Sequence, residues 1–102
     1  MQALLFSHYT DEEALLKTLL QQAGFGVRSV GNFERAMELW PEKSADFILI
    51  TLPEDNLEAR KQVRQMRAHT AVPIVVIVDL FSESQQVNLL EAGADLVISR
   101  PY

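Results

Sequence analysis

The strongest constraint in this sequence is the alternation of short, continuous apolar segments with longer segments of helical periodicity. Three of the apolar segments hold four or five consecutive residues, many of them β-branched, which is typical of parallel strands covered on both faces. A weaker alternating segment and a short final one complete the set. Five strands are therefore predicted, at residues 3–6, 25–30, 47–50, 74–78 and 96–98, in the order βαβαβαβαβ.

The helical segments between these strands open with residues that can cap a helix. Thr10 and Ser82 are each followed three residues later by Glu or Gln, which is the spacing of a capping box. Acidic side chains in the first turns, such as Glu12 and Asp55, are interpreted as charges that are favourable at a helix N-terminus. The predicted capping residues of the four helices are Thr10, Asn32, either Asp55 or Asn56, and Ser82.

Strand–helix alternation with short loops predicts a parallel sheet with helices on both faces, because each crossover is right-handed and does not cross its neighbour. Ligands of such folds bind at the carboxyl edge of the strands, where the strand order reverses. The residues at and just beyond the strand ends are therefore the candidates for a functional site. They include Ser7, His8, Thr51, Asp79 and Arg100.

Composition limits what this single domain can do. The 102 residues carry a formal charge of −5 and no cysteine. Without cysteine there can be no disulfide framework, thiolate metal site or cysteine nucleophile, which fits a cytoplasmic protein. Positive charge is not concentrated enough to predict direct nucleic-acid binding by this domain. No apolar segment approaches the ~20 residues of a membrane span, so no membrane association is expected.

Four motifs occur together along the chain: Asp-Phe-Ile-Leu-Ile-Thr at 46–51, Pro-Ile-Val-Val-Ile at 73–77, Glu-Ala-Gly-Ala-Asp at 91–95 and Arg-Pro-Tyr at 100–102. In their joint order and spacing they resemble the receiver domains of two-component response regulators, over the whole chain. The resemblance implies a flavodoxin-like fold of three layers, with a doubly wound parallel five-stranded sheet in the order 2-1-3-4-5. It also implies a cis bond before Pro101.

The family phosphorylates an aspartate, and the resemblance implies where that chemistry would lie. The acidic pair that holds Mg²⁺ falls on Ser7 and His8, the phospho-acceptor on Thr51, the hydroxyl switch on Val78 and the lysine on Arg100. Ser and His offer no anionic oxygen to Mg²⁺, and a threonine hydroxyl cannot form an acyl phosphate. The chain is interpreted as a degenerate receiver, a pseudo-receiver, without aspartyl phosphorylation, catalytic residues, metal or cofactor.

Two functions remain open at this point. The first is a regulatory module of two-component, phosphorelay-type signalling that acts through homodimer or partner contacts and controls an output domain, for example a DNA-binding one in transcription regulation. Its contacts are expected on the face of the fourth helix and fifth strand, the family's usual dimer surface. The second is a small-ligand or anion sensor that uses Arg100, Asp79 and Thr51.

The family's final helix has no counterpart here, because the sequence stops at Tyr102. Residues 1–102 are therefore expected to form one receiver-like domain, the N-terminal part of a longer regulator. Without that helix, the leucine stripe of the first helix and residues 96–98 should present an apolar surface. We expect a further segment of the protein, or a second copy, to cover it.

Overall fold

The structure is a computed structural model that describes residues 1–39, 45–79 and 82–101. Within these ranges the chain forms five strands, β1 (Gln2–Phe6), β2 (Gly26–Val30), β3 (Phe47–Glu54), β4 (Ile74–Asp79) and β5 (Leu96–Ser99). Four helices alternate with them in the same ranges, α1 (Thr10–Gln22), α2 (Phe33–Leu39), α3 (Leu57–His69) and α4 (Glu83–Ala92). The strands pair in parallel, in the order β2-β1-β3-β4-β5. The predicted flavodoxin-like fold is confirmed.

Alternate residues of the central strands enter two separate core layers, because successive side chains of a strand point to opposite faces. Leu4 and Phe6 of β1 belong to the larger layer, to which α2, α3 and α4 contribute. Leu5 lies on the opposite face, in a smaller layer with Leu16 of α1. The sheet is thus covered on both sides, and this explains why its central strands are continuously apolar.

Three predicted caps are present in the structure. The side chains of Asn32, Asn56 and Ser82 each accept a hydrogen bond from the backbone N–H three residues further on, at 2.8, 2.8 and 3.4 Å. The capping box at Thr10 is wrong, because α1 begins one residue earlier than that motif requires. Tyr9 occupies the capping position and supplies no side-chain hydrogen bond.

One arginine organises the amino edge of the sheet. Arg67, near the end of α3, donates from Nε to the carbonyl of Gly93 at 2.9 Å and from Nη1 to the carbonyls of Thr70 and Val72 at 3.2 and 3.1 Å. It also forms an ion pair with the carboxylate of Asp95. These contacts join α3 to the segments that lead into β4 and β5.

The face of the sheet that carries α1 leaves apolar side chains exposed. Leu15 and Leu19 of α1 are 51% and 47% exposed, and Leu96 of β5 is 51% exposed. Leu96 shares its face with Ile98, which packs against the smaller layer. These side chains form the kind of apolar surface that the sequence predicts. Within the described ranges, no helix combines the length and the apolar character of a membrane span.

The caps generate a stability prediction. Replacing Asn56 with Ala should lower the free energy of unfolding by about 1 kcal/mol, because the Ala59 N–H loses its acceptor at the start of α3. Thr10→Ala is the matched control and should change it by less than about 0.5 kcal/mol, since Thr10 caps nothing. Urea unfolding followed by circular dichroism measures both. Equal losses in the two variants would contradict the assignment of the caps.

Candidate functional site

The candidate residues lie at the carboxyl edge of the sheet, where β1, β3 and β4 are neighbours. Ser7 follows β1, Thr51 lies within β3 and Asp79 ends β4. Ser7 and Thr51 are buried, at 4% and 0% exposure. His8 is exposed, and its ring lies 5.1 Å from that of Phe6. Residues from β1, β3 and β4 therefore lie near one another at this edge of the sheet.

Ser7 and Thr51 form a closed hydroxyl network. Thr51 Oγ1 donates to Ser7 Oγ at 3.0 Å and accepts from the backbone N–H of His8 at 3.3 Å. Ser7 Oγ donates to the carbonyl of Tyr9 at 3.1 Å and accepts from the Tyr9 N–H at 3.3 Å. Each hydroxyl has a single proton to donate, and both protons are already used. The network joins Ser7 and Thr51, two of the residues on which the resemblance places the acidic pair and the phospho-acceptor.

Arg100 extends from the end of β5 across the carboxyl edge to α1. Its Nε and Nη2 bind the two carboxylate oxygens of Glu12, both at 2.7 Å, and its Nη1 donates to the carbonyl of Leu52 at 2.7 Å. Nη1 also lies 3.6 Å from Asp79 Oδ1, and the guanidinium carbon lies 5.8 Å from the ring centre of Tyr9. All three guanidinium nitrogens therefore have acceptors.

The Glu12–Arg100 pair is a largely buried ion pair at this edge. The side chains are only 11% and 17% exposed, so solvent screens them weakly. Hydrogen bonding to Glu12 raises the pKa of Arg100 above its usual value. A planar guanidinium held by both oxygens of one carboxylate is a strong and geometrically specific pair.

The structure divides the predicted site residues into three groups. Ser7, His8 and Thr51 meet in the hydroxyl network, and Arg100 meets Asp79. Val78 lies fully buried in the larger core layer, where it can only pack. The peptide bond before Pro101 is cis, as the resemblance implies.

Two contacts at this edge were missed by reasoning from the sequence. Glu12 is assigned there to the helix N-terminus, yet it binds Arg100, which lies 88 residues away in the chain. Asp55 is assigned in the same way, and it holds Arg60 through two hydrogen bonds of 2.8 and 2.9 Å and contacts Asn88 Nδ2 of α4 at 3.4 Å. The hydrogen bond from Arg60 lowers the pKa of Asp55. The expected strand order is the only signal that could have suggested the pairing of Glu12 with Arg100.

Among the residues that the structure describes, no three His, Asp or Glu side chains converge in a way that could hold a metal ion. Ser7 and Thr51 offer neutral hydroxyls, whereas Mg²⁺ prefers hard anionic oxygens. The nearby carboxylates of Glu12 and Asp79 are instead directed at Arg100.

The ion pair generates a prediction of its own. Glu12→Gln should lower the free energy of unfolding by about 1–3 kcal/mol, because Arg100 stays buried without its charged acceptor. Asp11→Asn removes an exposed acidic charge from the same turn of α1 and should cost less than about 0.5 kcal/mol. Urea unfolding at neutral pH compares the two. A cost for Glu12→Gln no larger than that of the control would show that the pair contributes nothing.

Comparisons with known proteins agree with this fold. No protein-family model matches the chain. Over 95 residues, the chain is 33% identical to the sensory transduction protein RegX3 of Mycolicibacterium smegmatis, which covers 90% of this chain and 42% of RegX3. It is 28% identical over 95 residues to the KDP operon transcriptional regulatory protein KdpE of Escherichia coli, with the same coverage. The chain therefore spans about two fifths of the length of these relatives.

Solved structures show the same fold along the whole chain. A two-component response regulator from Clostridium difficile has a TM-score of 0.89 at 20% identity, covering 100% of this chain and 84% of that one. The BeF3-activated N-terminal receiver domain of Klebsiella pneumoniae RstA has a TM-score of 0.88 at 20% identity, covering 100% and 87%. In fold the chain is similar to a response regulator and a receiver domain, and in sequence to about two fifths of regulators such as RegX3 and KdpE.

Proposed function

We propose that this chain is a regulatory receiver module of two-component signalling that works without aspartyl phosphorylation and acts through contacts with other polypeptide. The observation that carries the proposal is the closed carboxyl edge, where Glu12 already binds Arg100 and Thr51 already binds Ser7. A receiver signals through the chemistry of this edge only if an acceptor and a metal site are open there. Here the same positions hold neutral or internally paired groups.

The acceptor position gives the first line of support. An aspartyl phosphate forms when a carboxylate oxygen attacks a phosphoryl group, and Thr51 has no carboxylate. Its hydroxyl is fully buried and donates its proton to Ser7. A phosphoryl donor would have to reach this atom through a closed network, and Ser7 and His8 offer no carboxylate to hold a cation that would neutralise the transferred charge.

The position of Arg100 gives the second line of support. In an active site of this kind a basic group is free to bind the incoming phosphoryl oxygens. Arg100 instead donates hydrogen bonds to Glu12 and to the Leu52 carbonyl. The alternative function, an anion or small-ligand sensor using Arg100, Asp79 and Thr51, is weakened by the same contacts. An anion would need to displace Glu12, and Thr51 belongs to a separate hydrogen-bonding network.

The surface proposed for contact is the α4–β5 face, whose exposed apolar side chains are Val87 and Leu90 of α4. These side chains are 47% and 39% exposed. Burial of apolar area is the main favourable term in protein association, so such a face favours a homodimer or a protein partner. We propose that this cytoplasmic, non-enzymatic module uses the face to regulate an output domain.

The relatives suggest what the output does. RegX3 is a sensory transduction protein and KdpE a transcriptional regulatory protein, and this chain spans about two fifths of each. We propose that the chain likewise belongs to a longer regulator of transcription. Direct contact with nucleic acid would then lie in the output domain, since the receiver module carries a net charge of −5.

Phosphorylation chemistry provides the first test. Incubation with acetyl phosphate or beryllofluoride and Mg²⁺ should leave the intact mass and the melting temperature unchanged. Thr51→Asp should remain unphosphorylated, because Ser7 and His8 still leave Mg²⁺ unheld, and it should melt lower because it buries an unpaired charge. A receiver with a complete acidic site serves as the positive control. A stable phospho-adduct on the unaltered chain would refute the proposal.

Self-association provides the second test. Size-exclusion chromatography with light scattering should show a concentration-dependent dimer, and Leu90→Glu should shift it to monomer by placing a charge in the apolar contact. Leu57→Glu is the matched control, because Leu57 is 80% exposed on α3, outside the α4–β5 face, and it should leave the dimer intact. A monomer at every concentration would contradict the homodimer and leave only a different protein as the partner.

A further inference from the structure

A groove of about 500 Å³ separates α2 from α3, on the same side of the sheet as α4 but beyond α3 from it. Its floor is formed by Phe33, 8% exposed, and by Met37, which is partly buried against the larger core layer. Its walls carry Glu34 and Glu38 from α2 and Glu58 and Lys61 from α3. The floor is apolar and the rim is charged.

The rim has an excess of negative charge. Within the described ranges, neither Glu34 nor Glu58 forms an ion pair, while Glu38 lies 3.3 Å from Arg35 with both side chains more than half exposed. Such an exposed pair contributes little, and Lys61 is the single lysine among the lining residues. The groove therefore offers unbalanced carboxylates above an apolar floor.

Two other arginines of α3 are engaged elsewhere, and the exposed Arg64 is not among the residues that line the groove. Arg60 is held by both carboxylate oxygens of Asp55, at 2.8 and 2.9 Å. Arg67 is held by Asp95 and by the carbonyl of Gly93. Arg60 and Arg67 thus direct their charge into the protein's own ion pairs and away from the groove.

We propose that this α2–α3 groove binds a basic, amphipathic segment of a partner polypeptide. An apolar side chain of the partner packs on Met37, whose flexible thioether adapts to different shapes. Lysine or arginine side chains of the partner face Glu34 and Glu58, and the negative charge of the whole domain favours their approach. The groove is separate from the α4–β5 face, so both surfaces can be occupied together.

The test uses two synthetic peptides with the same helical leucine pattern, one carrying lysine and the other glutamate at its polar positions. Fluorescence anisotropy should show binding of the lysine peptide alone, and amide shifts in NMR spectra should map it to Met37, Lys61 and their neighbours. Glu34→Gln and Glu58→Gln should each weaken binding about two- to fivefold. Glu83→Gln, an exposed change on α4 with the same loss of charge, should leave the affinity unchanged.

A gain-of-function variant keeps the proposal falsifiable if any of these variants folds poorly. Lys61→Glu should tighten binding of the lysine peptide about two- to fivefold. Lys61 is the single lysine among the lining residues, and this change replaces its positive charge with a negative one. The proposal is overturned if the glutamate peptide binds equally well, if Glu83→Gln weakens binding as much as Glu34→Gln, or if the shifts map to another surface. Thermal melting curves confirm that each variant is folded.

Discussion

Burial of the central strands on both faces is the constraint on which the rest of this molecule depends. Because β1, β3 and β4 pack under helices on each side, residues 3–6, 47–50 and 74–78 are all apolar, and polar side chains begin only where these segments end. Parallel pairing then brings those ends together at one edge. Ser7 and Thr51, 44 residues apart in the chain, become hydrogen-bonded neighbours for this reason.

The fold was predictable because its signals are local and periodic. The apolar segments and the Asn32, Asn56 and Ser82 caps follow from short stretches of sequence read with general packing rules, whereas the strand order was implied by the resemblance to receiver domains. The capping box at Thr10 failed because two neighbouring residues compete to start the helix, and a motif cannot decide between starts that differ by one position.

The location of the candidate site was predictable from the sequence, but the pairing of its charged side chains was not. Strand ends identify which residues gather at the edge, whereas the pairing of Glu12 with Arg100 depends on side-chain directions over a span of 88 residues. An acidic residue in a first helical turn is already explained by its favourable interaction with the helix N-terminus, so the sequence gives no reason to look for a distant partner. The same applies to Asp55, whose contact with Asn88 connects the β3 end to α4.

The interaction of Arg67 with Gly93 has a consequence for how this domain can vary. Gly93 has a φ of +130°, and a Cβ there would lie 2.7 Å from the Cβ of Arg67. The glycine is therefore needed both for its backbone conformation and for the space that the arginine occupies. A lysine at position 67 presents one compact ammonium instead of a planar fork, so it could not serve three carbonyls and a carboxylate from one fixed geometry. The close approach of α3 therefore restricts position 93 to glycine, and the acceptors around position 67 favour arginine.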